Sequence, residues 1–317
     1  MWIAKPLSAL STQELANWTE VYQTRSAPIA QSVDWASAIQ STGARVFLVF
    51  NPEERAGGVL FQIDKSLECI NGPLLDWQDP QKCMRQFAGF SVAASRLQSR
   101  ASQIILQPRW SAENSLSWLS NISIEPHSSA AASTMVLNPS DEQEGFSSRL
   151  KRTLKVAEKS GISFQWKKIE SDSDLGEFPE KLSAFGKARH FFVPRRRWFA
   201  HLIKGPTLKY YLATADYSQD GAHARSEILV AISGREAHYL FGYEDRSPEV
   251  RAAISPSAWL HFQASLKVAE LGCELYDFNG YIKGVANDDP YAGVCEFKKQ
   301  FGGEILDYFS PRWIIDV

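Results

Sequence analysis

Two groups of basic residues are spaced for work on an anion. Lys151, Arg152, Lys155 and Lys159 recur at intervals of three and four, which puts them on one face of a helix. Such a face is either a solvated surface or a contact for a polyanion that sheds counterions on binding. Arg195-Arg196-Arg197-Trp198 is the second group. Guanidinium forks match phosphate oxygens two at a time, and an indole stacks on a base; the bland reading is a surface loop. Tyr239 and Phe241 alternate along an apolar run, so a strand there turns both to one side. Other chemistries find no footing. The chain has no G-x-S-x-G elbow, no G-x-x-x-x-G-K loop and no H-E-x-x-H pair. Cys69, Cys83, Cys273 and Cys295 lie far apart with no histidines clustered beside them, so neither a zinc site nor a disulfide scaffold is expected. Asp288-Asp289 before Pro290 reads as a turn rather than a metal pair.

The elements that must position these residues alternate between helix and strand. Ser11 with Glu14 three positions on forms a capping-box signature for a helix over 11–20, and 35–40 is a second helical candidate. The β-branched and aromatic runs 45–50, 58–63 and 103–108 read as strands, with a helix over 79–99 between the last two. The stretch 128–140 is rich in Ser and Ala, yet Thr134-Met135-Val136-Leu137 inside it has strand character. Asn138-Pro139-Ser140-Asp141 is a break. A helix over 145–159 follows, with Gly161 in the usual position after a helix end. Strands are expected over 208–217, 227–232, 237–242 and 274–278, the middle two forming a hairpin, and a helix over 257–271. Two domains follow, 1–140 and 141–305. The similar order of the two halves suggests a distant duplication.

Length and composition agree with this division. At 317 residues the chain is long enough for about two domains. Lys+Arg 34 against Asp+Glu 36 gives a net charge of −2, which excludes a strongly basic nucleic-acid coat but not a local basic patch. No apolar run is long enough for a transmembrane helix, and the N-terminus lacks the basic start and apolar run of a secretory signal. Reduced thiols and a cytoplasmic location are the expectation.

Three segments, in order, resemble the FemABX family, the aminoacyl-tRNA-dependent transferases that add bridge amino acids to peptidoglycan precursors. The first carrier is Leu275-Tyr276-Asp277-Phe278-Asn279-Gly280, followed by 288–293 and by Phe297-Lys298-Lys299-Gln300-Phe301-Gly302-Gly303-Glu304. The second is the basic segment from Arg149, ending in Ala157-Glu158-Lys159-Ser160-Gly161. Weaker matches are Gln31-Ser32 with Trp35, and Gly72-Pro73-Leu74-Leu75-Asp76. The resemblance spans essentially the whole chain. It implies an α/β fold of two GNAT-like (acyl-CoA N-acyltransferase-like) domains with mixed sheets flanked by helices, a cleft between them, and a C-terminal tail, 306–317, that returns to the first domain. The long helical arm of some members is absent, because 161–205 is too short and too poor in heptads to hold it.

The resemblance also implies the chemistry. The ester joining an amino acid to the terminal ribose of tRNA would be cleaved by a primary amine, such as that of a peptidoglycan stem peptide. The ester is already activated, so positioning and oxyanion stabilisation are the main tasks. Lys298 matches the family lysine suited to hold the oxyanion, and Phe297 shelters it or packs on a base. Asp76 matches a position near the acceptor and would orient the amine or take its proton. Tyr276 lies in the matching strand end. Tyr239 and Phe241 fall where the family tends to have tyrosines that contact the acceptor, Phe241 without the hydroxyl. Arg189 loosely matches an arginine that contacts the precursor's diphosphate. Lys151, Arg152, Lys155, Lys159, Arg195 and Arg196 are candidates for tRNA or phosphate, and Trp198 for a base. Gly302 and Gly303 would allow a tight turn or a close backbone approach. Aminoacyl-tRNA is then a co-substrate, with no cofactor and no metal.

One departure bears on the acceptor. Members acting on the soluble nucleotide precursor carry a lysine shortly after the tryptophan; here Ala36, Ser37, Ala38 and Ile39 follow Trp35. Peripheral contact with a lipid-linked precursor, or an acceptor outside cell-wall synthesis, stays open. The rival enzyme is a GNAT-type acyltransferase using acyl-CoA in polysaccharide or natural-product biosynthesis. That chemistry needs a glycine-rich turn before a helix for the pyrophosphate, whereas Glu244-Asp245-Arg246-Ser247 follows the strand ending at Tyr243. A non-catalytic binding module is the third reading.

Overall fold

The protein was studied as a computed structural model, which describes residues 1–25, 27–97, 101–108, 123–125, 133–140, 143, 145–251, 253–289, 291–307 and 312–316. Residues 98–99 of the expected helix, 128–132 of the Ser/Ala-rich stretch, Asp141 of the break, Pro290, and 308–311 and 317 of the tail lie outside the described residues. In chain order the first elements are β1 (Ile3–Pro6), α1 (Thr12–Thr24), α2 (Val33–Gln40), β2 (Val46–Asn51), β3 (Ala56–Ile63), β4 (Ser66–Ile70), α3 (Pro80–Ser95), β5 (Gln103–Gln107) and β6 (Ser123–Glu125). Then come β7 (Ser133–Leu137), α4 (Ser148–Lys159), β8 (Ser163–Ile169), α5 (Phe178–Arg189), α6 (Arg196–Leu202), β9 (Lys209–Gln219), β10 (Ala222–Ser233) and β11 (Glu236–Arg246). The last are α7 (Pro256–Glu270), β12 (Leu275–Asp277), α8 (Ala292–Lys299), β13 (Glu304–Asp307) and β14 (Arg312–Asp316).

These elements form two units, each a mixed sheet flanked by helices. The first sheet has the order β1-β2-β3-β4-β5-β14-β6 and the second, from its other end, β8-β9-β10-β11-β12-β7-β13. In each sheet the first four strands are antiparallel neighbours, the fourth and fifth are parallel, and the sixth is antiparallel to the fifth. The same pattern therefore occurs twice, although no residue-level repeat is visible between the halves. The break at 138–141 falls one strand late. Thr134-Met135-Val136-Leu137 precedes it in sequence but pairs with β12, in the second sheet. The reason is hydrogen bonding: Val136 and Leu137 lie opposite Asp277 and Tyr276, and turn residues mark a bend, not a change of sheet. The first unit comprises 1–132, 204–207 and 307–317. Its sheet takes β14 between β5 and β6, and Thr207 N donates to the buried Asp34 carboxylate at 2.9 Å.

Local signals explain several boundaries. At α1 the Ser11 hydroxyl accepts from Glu14 N and the Glu14 carboxylate accepts from Ser11 N at 2.8 Å, a complete capping box. The Ser147 hydroxyl accepts from Leu150 N at 3.1 Å to start α4. Gly161, just past its end, has φ +67°, where a Cβ is disfavoured. Leu150, Leu154 and Ala157 bury the inner face of α4. The core of the first unit gathers Phe47, Val49, Leu60, Phe90 and Trp313. In the second unit α4 and α7 cover one face of the sheet, over Ile228, Val230 and Ile232 of β10. The span 161–205 holds β8 and two short helices, with no long coiled arm.

Candidate active site

The chemistry-bearing residues of the second unit meet where its central parallel strands stop pairing. β11 and β12 are in register only from Glu236/Leu275 to His238/Asp277. Beyond that point a side chain spans the gap: the Asn279 amide donates to the Tyr239 carbonyl. Asp277 holds the turn that follows. Its carboxylate accepts from Asn279 N at 2.7 Å and from the Thr134 hydroxyl, and lies 3.4 Å from His238 Nδ1. Asn279 and Gly280 both have positive φ, +52° and +32°, and their two carbonyls converge on one atom, Lys298 Nζ. The Gly280 distance is 2.6 Å, and Asn279 also accepts.

Lys298 is only 5% exposed. Burial pulls its ammonium down from the ordinary 10.5 to about 8, against the opposing influence of Cys295 and Asp277. At neutral pH it is therefore still a cation, held in a dry setting. An ammonium has three N–H bonds. Two are used by Asn279 and Gly280, and the third has no acceptor among the described residues. The surroundings are aromatic. The His261 ring of α7 lies 4.7 Å from Tyr239, 5.3 Å from Phe278, 5.5 Å from Phe297 and 6.1 Å from Phe301. His261 Nδ1 is hydrogen-bonded to the Tyr276 hydroxyl at 2.9 Å. Burial, followed by the Lys298 charge, pushes this imidazole down to about 3, so it is neutral at pH 7. Burial also drives Tyr239 up to about 12 and holds Tyr276 well above the ordinary tyrosine range. The arrangement places one positive charge, with one donor to spare, beside aromatic walls that exclude water. Such a donor is worth most where negative charge develops on a carbonyl oxygen.

The glycine pair after α8 joins this site to the basic helix. Ser147 N, at the start of α4, donates to the Gln300 carbonyl at 2.9 Å. The Phe146 and Phe301 rings meet edge-on at 5.5 Å. A methyl group on Gly302 would overlap the Gly145 carbonyl, and one on Gly303 the Val136 carbonyl. The two glycines thus serve a close backbone approach. On α4, Arg152, Lys155 and Lys159 are exposed and Lys151 half-buried. Arg152, Lys155 and Lys159 pair with no carboxylate among the described residues.

Tyr239 and Phe241 do not share a face. β11 carries an extra residue opposite β10, with Phe241 opposite Leu229 but Tyr239 already opposite Val230, leaving Leu240 unpaired. This bulge resets the alternation. Tyr239 meets His261 of α7, whereas Phe241 meets Trp198 and Phe199 of α6 at 5.7 and 5.4 Å on the opposite side. Trp198 is 4% exposed and wedged edge-on between Phe199 and Phe241, which leaves no face for a base. Tyr276 is likewise fully buried. The arginine cluster opens α6 rather than forming a loop: Arg195 immediately precedes it without a side-chain cap, and Arg196 is tied to Glu180 at 3.0 Å and to Asp172 at 3.4 Å. Arg189, last residue of α5, is exposed and rests over the Phe185 ring at 5.6 Å.

Asp76 belongs to the first unit. Lys82 binds its carboxylate at 2.8 Å and Arg25 lies 3.9 Å away. The Lys82 hydrogen bond, with help from Arg25, keeps it below the usual carboxylate range. A general base needs the opposite perturbation, so this geometry suits an anchor for a cation better than a proton acceptor. His261, Asp277 and Asn279 were not singled out from sequence as site residues. For His261 the sequence offers no signal, since a lone histidine inside an amphipathic helix carries no spacing. Asp277 and Asn279 lie in the strand-end motif.

The helix start after β11 is also informative. The Glu244 carboxylate accepts from Ser257 N at 3.1 Å and from the Ser257 hydroxyl at 2.5 Å. The first turn of α7, where a phosphate would otherwise find a helix N-terminus, is therefore already occupied by an anion of the chain itself. On the sheet face away from α7 lies a cleft of about 450 Å³. Its floor is the buried Glu227 carboxylate, which accepts from Tyr243 at 2.6 Å, Thr214 at 3.2 Å and Arg225 at 2.6 Å.

No protein-family model matches the chain, and no curated protein matches it by sequence. Solved structures do. The crystal structure of FemX is similar at a TM-score of 0.76 and 15% identity, over 99% of this chain and 97% of that one. The C-terminal domain of a putative lysylphosphatidylglycerol synthetase from Agrobacterium fabrum is similar at 0.56 and 13%, over 95% and 91%. L-PGS from Bacillus licheniformis is similar at 0.56 and 11%, over 96% and 90%. The chain thus has the fold of these proteins, two GNAT-like mixed-sheet units, over essentially its whole length.

Proposed function

We propose that this chain is a Fem-like aminoacyltransferase, which moves an amino acid from aminoacyl-tRNA to a primary amine acceptor such as a peptidoglycan stem peptide. The observation that carries the reading is the Lys298 ammonium, buried at the parting of β11 and β12 with one N–H unused. The fold shared with FemX supports it. In the reaction the amine nitrogen attacks the ester carbonyl carbon. A C–N bond forms, the C–O bond to the ribose breaks, and the proton lost by the amine ends on the ribose oxygen. The carbonyl oxygen carries negative charge on the way. Lys298 would offset that charge, while Phe297, Phe278 and Tyr239 would keep water from it. The exposed cations of α4 would hold the anionic tRNA, and the Gly302–Gly145 contact fixes that helix relative to α8.

Acyl-CoA is the less favoured donor because Glu244 fills the α7 N-terminus. A carboxylate there repels a pyrophosphate and takes the amide it would use. A single experiment separates the donors. The purified protein is given radiolabelled aminoacyl-tRNAs, or acetyl- and longer acyl-CoAs, with a nucleotide-linked stem-peptide precursor, its lipid-linked form and simple amines. Label passing from tRNA to the amine, and reduced about 10²–10³-fold in Lys298→Met, is the expected result. Label passing only from acyl-CoA overturns the donor assignment.

A further inference from the structure

The α5–α6 connection, residues 190–195, presents one bare aromatic ring inside a field of positive charge. Phe192 is 86% exposed, and the next most exposed aromatic among the described residues is Tyr291 at 49%. This exposure is built in rather than the result of a loose loop. Phe191 N donates to the Gly186 carbonyl at 3.1 Å, and the Phe191 ring packs edge-on against Phe185 at 5.8 Å. The Val193 side chain lies so close to Gly186 that a Cβ there would collide with it, and Pro194 is buried. With its neighbours on both sides tucked against α5, Phe192 is the residue turned outward.

The charge along the segment itself is of one sign, with Glu180 and Asp172 engaged by Arg196. From Lys187 to Lys204 the sequence holds Lys187, Arg189, Arg195, Arg196, Arg197 and Lys204 with no Asp or Glu, in a chain whose net charge is −2. Lys187, Arg189, Arg195 and Arg197 are exposed and pair with no carboxylate among the described residues. An apolar tip bordered by cations is the pattern of an interfacial anchor. The ring enters the boundary between headgroups and acyl chains, and the cations meet anionic headgroups. A single-stranded nucleic acid fits less well. The tip Phe191-Phe192-Val193-Pro194 offers no side-chain donor or acceptor to a base or a ribose, and Trp198, the other ring of the segment, is buried.

We propose that the α5–α6 loop is a docking element for an anionic phospholipid bilayer, with Phe192 as the inserted residue and Lys187, Arg189, Arg195 and Arg197 as its electrostatic partners. The surface is independent of the donor chemistry proposed above and would bring the protein to an acceptor or co-substrate held at a membrane.

The test is flotation of the full chain with vesicles of phosphatidylcholine, with and without phosphatidylglycerol. The expected result is binding to the anionic vesicles that weakens as salt rises through the range where the screening length shrinks to about 10 Å. Phe192→Ser should weaken partition about tenfold, and Arg195→Gln and Arg197→Gln about fivefold each. Thermal unfolding of Phe192→Ser should match wild type, because the ring touches solvent. Equal binding to neutral vesicles, or undiminished binding by Phe192→Ser, would overturn the proposal. So would a protein that ignores vesicles and binds single-stranded RNA through Phe192. No transfer reaction is read, so a negative result here is distinct from failure of the transfer assay.

Discussion

Replacing Lys298 by Met should change the pH dependence of stability more than stability itself. Burial holds the folded-state value near 8, against 10.5 in the unfolded chain. Between about pH 8 and pH 10.5 the unfolded chain binds a proton that the folded one does not, so stability rises with pH across that window. At about 1.4 kcal/mol per pH unit the whole gap is worth roughly 3 kcal/mol. Below pH 8 that sum is the cost of burying the charge. Lys298→Met removes the cost but leaves the carbonyls of Asn279 and Gly280 without a donor, at about 1–3 kcal/mol each. At pH 7 the two effects largely offset. Variant and wild type should then unfold within about 2 kcal/mol of each other. By about pH 10.5 wild type gains roughly 3 kcal/mol relative to the variant. Urea unfolding of both proteins at matched pH values measures the difference, in which titrating groups not coupled to Lys298 cancel. A difference that stays flat from neutral pH to pH 10.5 would show that burial does not perturb Lys298, and the dry setting on which the oxyanion role rests would fall with it.

Gly302→Ala should cost about 3 kcal/mol, from the left-handed backbone and the collision with the Gly145 carbonyl; denaturant unfolding measures it, and a neutral substitution would show that the approach of α4 to the α8 turn is not tight. Glu227→Gln should cost about 2 kcal/mol, since Arg225 and Tyr243 lose the carboxylate they bind. The same change should bring Tyr243, now raised by burial and by Glu227, back toward its ordinary range, read as earlier tyrosinate absorbance on alkaline titration.

Much of the scaffold is legible from local signals. The Ser11/Glu14 box, Gly161 after α4 and the turn at Gly234 between β10 and β11 act within a few residues, and the structure forms them where the sequence places them. The fold class is legible too, because alternating apolar periods of helix and strand persist in both halves. What escapes is non-local. Period-two alternation puts Tyr239 and Phe241 together, but one unpaired residue, Leu240, separates them. Trp198 beside three arginines looks like a stacking surface, yet its burial depends on Phe241 from a strand over forty positions away. The position of Lys298 in its motif makes it a candidate. That its ammonium is held by the backbone of 279–280 follows only from two left-handed residues in succession. His261 has no local mark at all, since its environment is made by five aromatic residues drawn from three separate segments.

The placement of β14 sets an order of events during synthesis. β5 and β6 are neighbours in the first sheet only through β14, and Trp313 on that strand fills the core against Trp77 and Phe87. Yet β14 is translated after the whole of the second unit. At about 5–20 residues per second, the ribosome spends roughly ten to forty seconds between β6 and β14. Through that interval β5 is an unpaired edge, open to pairing with another nascent chain. The second unit is itself complete only with β13, which ends just before β14 begins. The first sheet, although begun first, therefore cannot be completed until β14 is made, and a chaperone acting on the growing chain should find its client at the waiting edge of β5.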